Sequence, residues 1–162
     1  AAGELNFLVG GSPTALERIR PVLTAMARSI THLGPTGSGA LIKLINNFVC
    51  GTQVASLAEA LAMIDRSGLD RQQAVDVLLG GAPGSPILKL VTSRIFAGDF
   101  SPNFMLRLLA KDLRYAIEEG RQLDVDLSTA SSALRLFDRA IAEGDGEKDM
   151  AALVEQFRRR RP

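Results

Sequence analysis

Tryptophan is absent from the 162-residue sequence, and cysteine and histidine occur once each. Because Cys50 has no second cysteine to pair with, no disulfide can form within the chain. His32 and Cys50 together cannot supply a zinc ligand set of the usual spacing, so we expect no metal site. A single reduced thiol also fits a cytoplasmic location.

An excess of charge of one sign and a long hydrophobic run are missing as well. The 19 Lys and Arg residues balance 18 Asp and Glu residues for a net charge of +1, which argues against a nucleic-acid-binding protein. We interpret the one basic run, Arg158–Arg161, as a solvated tail. No run reaches the roughly 18 apolar residues of a membrane span, and a signal peptide is not recognisable.

What the chain does contain is apolar material, since 46% of its residues are hydrophobic. That fraction is enough for the core of one or two small domains. The sequence does not begin with Met and opens a few residues before a strand-like segment. We therefore expect it to be a piece of a longer protein.

The first third of the chain has the pattern of a β-α-β unit. A short apolar run, Leu5–Val9, predicts a buried strand. Ser12 and Pro13 are typical of a helix start, and Pro21 is expected to kink or split that helix. A second strand is predicted over Ser29–Leu33. One such unit is too small to form a sheet alone and indicates the edge of a larger α/β domain.

From Gly34 onward, glycine and proline separate a series of helical patterns. The longest pattern runs from about Ser38 to Ser67 and is apolar nearly all round, which predicts a helix buried in the middle of a bundle. Further helices are predicted from Asp70 to Gly80, Pro86 to Phe96, Phe104 to Glu119, Ser128 to Glu143, and Asp149 to about Arg158. The expected fold is therefore mainly α.

The glycine-rich segment Gly34–Gly39 invites nucleotide-binding interpretations, and each fails on a residue. A P-loop needs a lysine and a hydroxyl residue directly after the last glycine, and neither is there. A dinucleotide fingerprint fails at Ile42, where a third glycine is required. Ser38 has only His32 as a possible base. We interpret His32 as a hydrogen-bonded structural residue on an apolar strand and Cys50 as a small core residue.

The long helix contains one unusual amine. Between Ala40 and Ile64 only Lys43 and Glu59 carry charge, although every face of this helix looks buried, and a buried lone lysine is costly. The two side chains lie about 160° apart around the helix axis, so Glu59 cannot neutralise Lys43. Lys43 is therefore expected to face an outside partner or an aqueous cleft.

Polar groups accompany this lysine at the start of the helix. Asn47 lies four residues on and therefore on the same face, with Asn46 beside it. The first-turn amides near Ser38 and Gly39 are expected to be unpaired and able to bind a carboxylate. Lys43 could then exchange a proton with a substrate oxygen. The alternative, that Lys43 merely extends into solvent, has about equal weight on spacing alone.

A second cluster lies within Phe104–Asp112. Lys111 follows Phe104 by seven residues, or two helical turns, so the ring and the amine are expected to share a face. Either they form an aromatic platform with a cation for a cofactor, or Phe104 is a core residue and Lys111 pairs at the surface with Asp112.

The segment Gly37–Asn47 resembles the signature of the β-hydroxyacid dehydrogenases, which include 3-hydroxyisobutyrate dehydrogenase and tartronate semialdehyde reductase. Three early segments resemble the last strands of that family's Rossmann domain, namely Ala2–Leu5, Val9–Gly11 and His32–Gly34. Two later segments resemble its helical C-terminal domain, namely Lys111–Leu113 and Gly144–Asp149. The resemblance implies that residues 1–34 end a Rossmann NAD(P)-binding domain. Residues 35–162 would form an all-α C-terminal domain that begins with a long interdomain helix.

The resemblance also implies a role for individual residues. Lys43 would be the acid/base that protonates a carbonyl oxygen as hydride arrives from NAD or NADP in its reduced form, with Asn47 holding the substrate in register. The remaining assignments are substrate binding by Gly37, Ser38 and Asn46, and cofactor binding by Phe104, Lys111 and Asp112. The related 6-phosphogluconate dehydrogenases have a histidine at the position of Asn46, so the short-chain hydroxyacid branch fits better.

The implied reaction interconverts a small β-hydroxyacid and its semialdehyde or keto form, in a homodimer or larger homo-oligomer. The family's glycine-rich pyrophosphate loop and its Ser-Gly-Gly substrate loop are absent from this sequence, so we expect the chain alone to be inactive. Leu127 stands where many relatives have proline. The alternative is a helical dimerisation module without chemistry of its own, supported by the abundance of apolar helix faces.

Overall fold

A computed structural model describes residues 3–159, which fall into two compact units, one ending at Asn46 and the other beginning at Asn47. The elements in chain order are β1 (Leu5–Val9), α1 (Pro13–Thr24), β2 (Ala27–His32), α2 (Ser38–Ser67), α3 (Arg71–Gly80), α4 (Pro86–Ala97), α5 (Leu106–Gln122), α6 (Ser128–Ala142), a 3-10 helix (Met150–Val154) and α7 (Glu155–Arg158). Helices dominate, so the mainly α fold class is confirmed.

The first unit is a β-α-β crossover that continues into the start of α2. Strands β1 and β2 pair in parallel, with an irregularity in register between Leu5 and Asn6, and α1 connects them as parallel pairing requires. The Ser12 hydroxyl accepts a hydrogen bond from the Ala15 amide, and Pro13 opens the helix. The β-α-β unit preceding the helices is therefore confirmed.

Two details of this unit differ from expectation. Strand β1 is not a buried strand, because Leu5 is 55% exposed and Leu8 42% exposed. With one neighbouring strand and one helix among the described residues, the small sheet leaves apolar side chains uncovered. Helix α1 is not split at Pro21 but continues to Thr24, since a proline near the end of a helix removes only one hydrogen bond.

The second unit contains the main hydrophobic core. Helices α5 and α6 pack side by side, and α4, the 3-10 helix and the second half of α2 contribute to the same cluster. Phe137, Leu61 and Leu109 are fully buried there. Helix α3 begins as its sequence predicts, because Asp70 caps it with a side-chain hydrogen bond, and Ser85 caps α4 in the same way.

Helix α2 has the predicted bounds but not the predicted burial. Its exposed apolar side chains include Ile45, Val49 and Met63, the last at 73% exposure. By length and composition alone α2 could cross a membrane, and 44% of its most apolar window is buried. Core helices of soluble proteins pass the same test. The expectation of burial on every face is wrong, because within residues 3–159 packing covers only part of the helix circumference.

The C-terminal segment is ordered by polar contacts. The last predicted helix is instead a 3-10 turn followed by α7, with Asp149 accepting a hydrogen bond from the Ala151 amide. Arg158 pairs with Glu155, and Arg159 pairs with the buried Asp145. Arg158 and Arg159 are therefore partly solvated but held by ion pairs, whereas residues 160 and 161 of the basic run lie outside the described residues.

Candidate active site

The start of α2 sits against β1 because two glycines allow it. A Cβ atom added at Gly39 would lie 2.2 Å from the Leu8 carbonyl oxygen, and one at Gly10 would lie 2.5 Å from the Pro35 carbonyl oxygen. Any larger residue would separate the helix from the strand. These glycines therefore serve backbone packing, which the sequence pattern did not distinguish from ligand binding.

The expected anion site at the first turn of α2 is not free in this arrangement. The Ser38 amide donates to the Pro35 carbonyl at 3.1 Å, and Gly39 is buried against β1. The expectation of unpaired first-turn amides is therefore wrong for Ser38. Gly37 adopts the left-handed backbone region (φ 99°) and is exposed, with nothing near its Cβ position.

Lys43 lies one turn further along α2 and is exposed, as is Asn46. The premise that every face of α2 is buried therefore does not hold at Lys43, because this side of the helix start is exposed within the described part of the chain. Lys43 and Asn47 remain one helical turn apart on one face.

Asn47 opens the second unit and belongs to a compact polar cluster. It is 8% exposed, and its side-chain Nδ2 donates to the Asp112 Oδ2 at 2.6 Å. The Asp112 Oδ1 accepts from the Lys111 Nζ at 2.5 Å. The structure thus brings together Asn47 on α2 with Lys111 and Asp112 on α5, and the bonded residues Asn47 and Asp112 are 65 positions apart in sequence.

Lys111 has an aromatic neighbour, but not the expected one. Its Nζ lies 4.9 Å from the centre of the Tyr115 ring, at a distance where a cation–π contact is favourable. Phe104 does not share a helix face with Lys111, because α5 begins only at Leu106. The one-turn spacing from Lys111 to Tyr115 could have identified this pair from the sequence.

Phe104 packs instead against the core, at the segment that leads into α5. Its amide and that of Asn103 donate to the carboxylate of Asp149, at 3.0 and 3.2 Å. Asp149 is 1% exposed and organises this segment, a role that the local sequence pattern does not indicate.

The single histidine and cysteine have structural surroundings. His32 Nε2 lies 2.7 Å from the Gly11 carbonyl oxygen, so the hydrogen-bonded interpretation holds, although His32 is exposed. Cys50 on α2 is half-buried, and burial raises the pKa of its thiol. Within residues 3–159 no group of three or more His, Cys, Asp or Glu side chains is placed to hold a metal ion.

The polar groups suit one side of a cofactor. The exposed Lys111 ammonium beside the Tyr115 ring offers a cation and an aromatic face, which fit a nicotinamide or a phosphate. The loop after β1 offers no pyrophosphate cradle in this chain, because its Gly10 is packed against the backbone of Pro35 and Ser38. The described residues therefore fit one end of NAD or NADP rather than the whole molecule.

Comparison with known proteins agrees with this architecture. Residues 37–157 match the family described as NAD-binding of NADP-dependent 3-hydroxyisobutyrate dehydrogenase, and residues 1–34 match the NAD-binding domain of 6-phosphogluconate dehydrogenase. Both descriptions define an NAD(P)-dependent oxidoreductase class. The chain belongs to the 3-hydroxyisobutyrate dehydrogenase family, which confirms the resemblance of Gly37–Asn47 and the expectation of NAD or NADP as cofactor.

Three similar proteins illustrate the match. The chain is 34% identical to 2-(hydroxymethyl)glutarate dehydrogenase of Eubacterium barkeri over 94% of its length and 51% of the relative. It is 35% identical to 3-sulfolactaldehyde reductase of Escherichia coli K12, over 96% and 53%. A crystal structure of 3-hydroxyisobutyrate dehydrogenase from Salmonella typhimurium superposes with a TM-score of 0.87 at 30% identity, over 94% of this chain and 54% of that one. The chain spans about half the length of these relatives.

Proposed function

We propose that this chain supplies the proton-transfer part of an NAD(P)-dependent β-hydroxyacid dehydrogenase, with Lys43 as the acid/base. The observation that supports it is the fixed amide of Asn47, held by Asp112 at 2.6 Å one helical turn from Lys43. A lysine ammonium beside an oriented amide can protonate a carbonyl oxygen, and in the reverse direction the amine can accept a hydroxyl proton. The NAD(P) cofactor supplies or accepts the hydride when bound.

The proposed substrates are small anionic hydroxyacids and their semialdehydes. The names of all three relatives describe an acid that carries a hydroxyl or an aldehyde group. Lys43 and Asn47 would contact the reacting oxygen, whereas Gly37, Ser38 and Asn46, at the exposed start of α2, would lie beside the rest of the substrate. The Ser38 hydroxyl is the donor we expect there, since its backbone amide is engaged.

Lys111, Asp112 and Phe104 form the proposed cofactor side. Lys111 is exposed beside Tyr115 and can contact the cofactor directly. Phe104 would contribute through the segment that leads into α5. We propose residues 1–34 as the end of the Rossmann domain and 35–162 as the helical domain. The cytoplasmic location remains a prediction.

The test uses a chimera, because the chain spans about half the length of its relatives. The part of the E. coli 3-sulfolactaldehyde reductase that the chain does not match is joined to the chain. Reduction of semialdehydes is then followed by the loss of NAD(P)H absorbance. The chain alone is expected to be inactive, whereas the chimera is expected to turn over.

Lys43→Ala in the chimera is expected to lower kcat at least about 10²-fold, the usual lower range for losing a general acid. The matched control is Lys89→Ala, which removes an exposed lysine on α4 and should leave kcat unchanged. A folded, NAD(P)H-binding chimera that is inactive, or a Lys43→Ala variant with near-normal kcat, would refute the proposal.

We also propose that the chain self-associates, as the alternative hypothesis of a helical dimerisation module requires. An apolar groove of about 650 Å³ lies between the end of α2 and α3, and Met63, Leu69 and Val77 on its walls are 62–76% exposed. Such patches are typical of interaction surfaces. Sedimentation at micromolar concentration should show a dimer that Val77→Lys weakens, and a strictly monomeric parent chain would exclude self-association.

A further inference from the structure

A polar groove of about 800 Å³ lies between α2 and α6, within the second unit. Two buried alanines, Ala55 and Ala133, line it, and their short side chains leave space between the helices. Three charged side chains line it as well, namely Glu59 from α2 and Arg135 and Arg139 from α6. A cavity of this volume, with apolar surface and a few polar groups, is typical of sites for small molecules.

The two arginines of this groove lack an acidic partner. Most other arginines of the second unit pair with an aspartate or a glutamate. Within residues 3–159, Arg135 and Arg139 form no ion pair and donate instead to uncharged groups. Arg135 donates to the Ser132 hydroxyl at 2.9 Å, and Arg139 donates to the side-chain oxygen of Gln156 at 3.0 Å. Two positive charges, one helical turn apart, therefore line the groove without a bound counter-charge.

Arg139 is held in a defined orientation by a buried group. It is half-buried, and its Nε donates to Gln156, which is 0% exposed. The amide nitrogen of Gln156 donates in turn to Glu143 at 2.8 Å, which keeps the glutamine oxygen directed to Arg139. The Nη donors of Arg139 have no partner in the described part of the chain. Because a partly desolvated cation is unfavourable without an anion, Arg139 is prepared to bind one.

Glu59 is the acidic group on the α2 side of the groove, and it is unpaired as well. It is exposed, and its carboxylate forms neither an ion pair nor a hydrogen bond within the described residues. Glu59 is thus too far from Arg135 and Arg139 to neutralise them directly. A lone anion in the groove would satisfy the arginines but would leave Glu59 unpaired and repelled. A molecule with an anionic group at one end and a donor at the other satisfies all three side chains.

We propose that this groove is a binding site for a small molecule that carries a carboxylate together with an ammonium or hydroxyl donor, as α-amino acids and α-hydroxyacids do. Arg135 and Arg139 bind the carboxylate, and Glu59 accepts a hydrogen bond from the donor group. The site shares no residue with the proposed dehydrogenase site or with the apolar groove beside α3. It therefore stands or falls independently of the proposed function.

The first experiment titrates four probes into the isotopically labelled full chain and follows the amide signals of α2 and α6 by NMR. Glycine and glycolate carry a carboxylate with an ammonium or a hydroxyl group, whereas acetate and methylammonium each carry one charged group alone. We expect saturable shifts with glycine or glycolate at an affinity at least about tenfold higher than with acetate, since only the former engage both sides of the groove. The tighter of the two identifies the preferred donor. Saturation with none of the probes, or equal affinity for all of them, would overturn the proposal.

The second experiment repeats the titration with variants whose melting temperature matches that of the parent chain. Arg135→Gln, at an exposed residue, should weaken the binding of glycine or glycolate at least about tenfold. Glu59→Gln should reduce their advantage over acetate to less than about twofold while acetate still binds. Arg114→Gln is the matched control, because this arginine lies on α5 and pairs with Asp138, and it should change nothing.

Two results of the variants would contradict the proposal. An unchanged preference for glycine or glycolate in Glu59→Gln would show that the carboxylate of Glu59 takes no part in binding. Shifts of the same α2 and α6 signals that depend on protein concentration without any probe, and that Glu59→Arg abolishes, would show that a second copy of the chain occupies the groove instead.

Discussion

Substituting Gly39 by alanine should loosen the first unit, although alanine is the better helix former. A Cβ atom at this position would lie 2.2 Å from the Leu8 carbonyl oxygen and 2.8 Å from the Leu8 carbonyl carbon. Both atoms are backbone, so no side chain can rotate away. The start of α2 must therefore move away from β1 by about 0.8 Å to reach even 3.0 Å, a separation below which real Cβ contacts essentially never fall.

The sign of the effect follows from two opposing magnitudes. Replacing glycine by alanine in a helix gains about 1 kcal/mol. Overpacking costs about 1–3 kcal/mol, and the upper part of that range applies where backbone must shift. The net expectation is a loss of about 1–2 kcal/mol from the stability of the β-α-β unit, and a displacement of the helix that carries Lys43.

Amide hydrogen exchange can measure this loss of stability directly in the β-α-β unit. The Gly11 amide donates to the Gly34 carbonyl and the Leu33 amide to the Val9 carbonyl, each at 2.8 Å, and both should exchange roughly tenfold faster in Gly39→Ala. Gly80→Ala is the matched control, since nothing lies within 4 Å of its Cβ position, and it should be neutral or slightly stabilising. Unchanged exchange in Gly39→Ala would refute the close-packing argument.

Two further predictions concern ionisable groups of the second unit. Burial alone would raise the pKa of Asp145, but hydrogen bonds from Arg159 and Lys148 outweigh it and hold the pKa below its usual range. The stability that this carboxylate contributes is therefore full above the unfolded-state pKa of about 4 and lost as the pH falls through the lower folded-state pKa. Urea unfolding should show Asp145→Asn destabilised at pH 7, with the difference from the parent disappearing in acid; a difference that persists at low pH would contradict this. Because burial raises the pKa of the Cys50 thiol, iodoacetamide should alkylate it at pH 8 more slowly in the folded chain than in urea. Equal rates would contradict the burial.

Local sequence signals predicted the element order well, because each depends on neighbours in the chain. Ser12 and Asp70 cap helices where the sequence predicts it. The structure adds Ser85 as the cap of α4 and Gly98 as its end in the left-handed conformation. Burial was predicted less well. Apolarity of α2 on all faces cannot say which face another element covers, and so the side of the helix that carries the exposed Lys43 was expected to be covered.

In the candidate site, too, local features were predictable from the sequence and contacts between distant segments were not. Lys43 and Asn47 are four residues apart on one helix, so their common face followed from spacing. The bond from Asn47 to Asp112 joins residues 65 positions apart, and no periodicity within either helix specifies it. The shift of the aromatic partner from Phe104 to Tyr115 has a simpler cause, namely a helix that begins two residues later than its apolar pattern suggests.

The approach of α5 to α2 depends on a small residue at Gly51, one turn beyond Asn47. A Cβ atom there would lie 3.0–3.2 Å from the side chain of Leu113, the residue after Asp112. Glycine at this position therefore lets the two helices come close enough for the 2.6 Å bond between Asn47 and Asp112. A methyl group at position 51 would require either the buried Leu113 side chain to shift by a few tenths of an ångström or the two helices to separate. The hydrogen bond between Asn47 and Asp112 therefore depends on how closely α2 and α5 pack at Gly51.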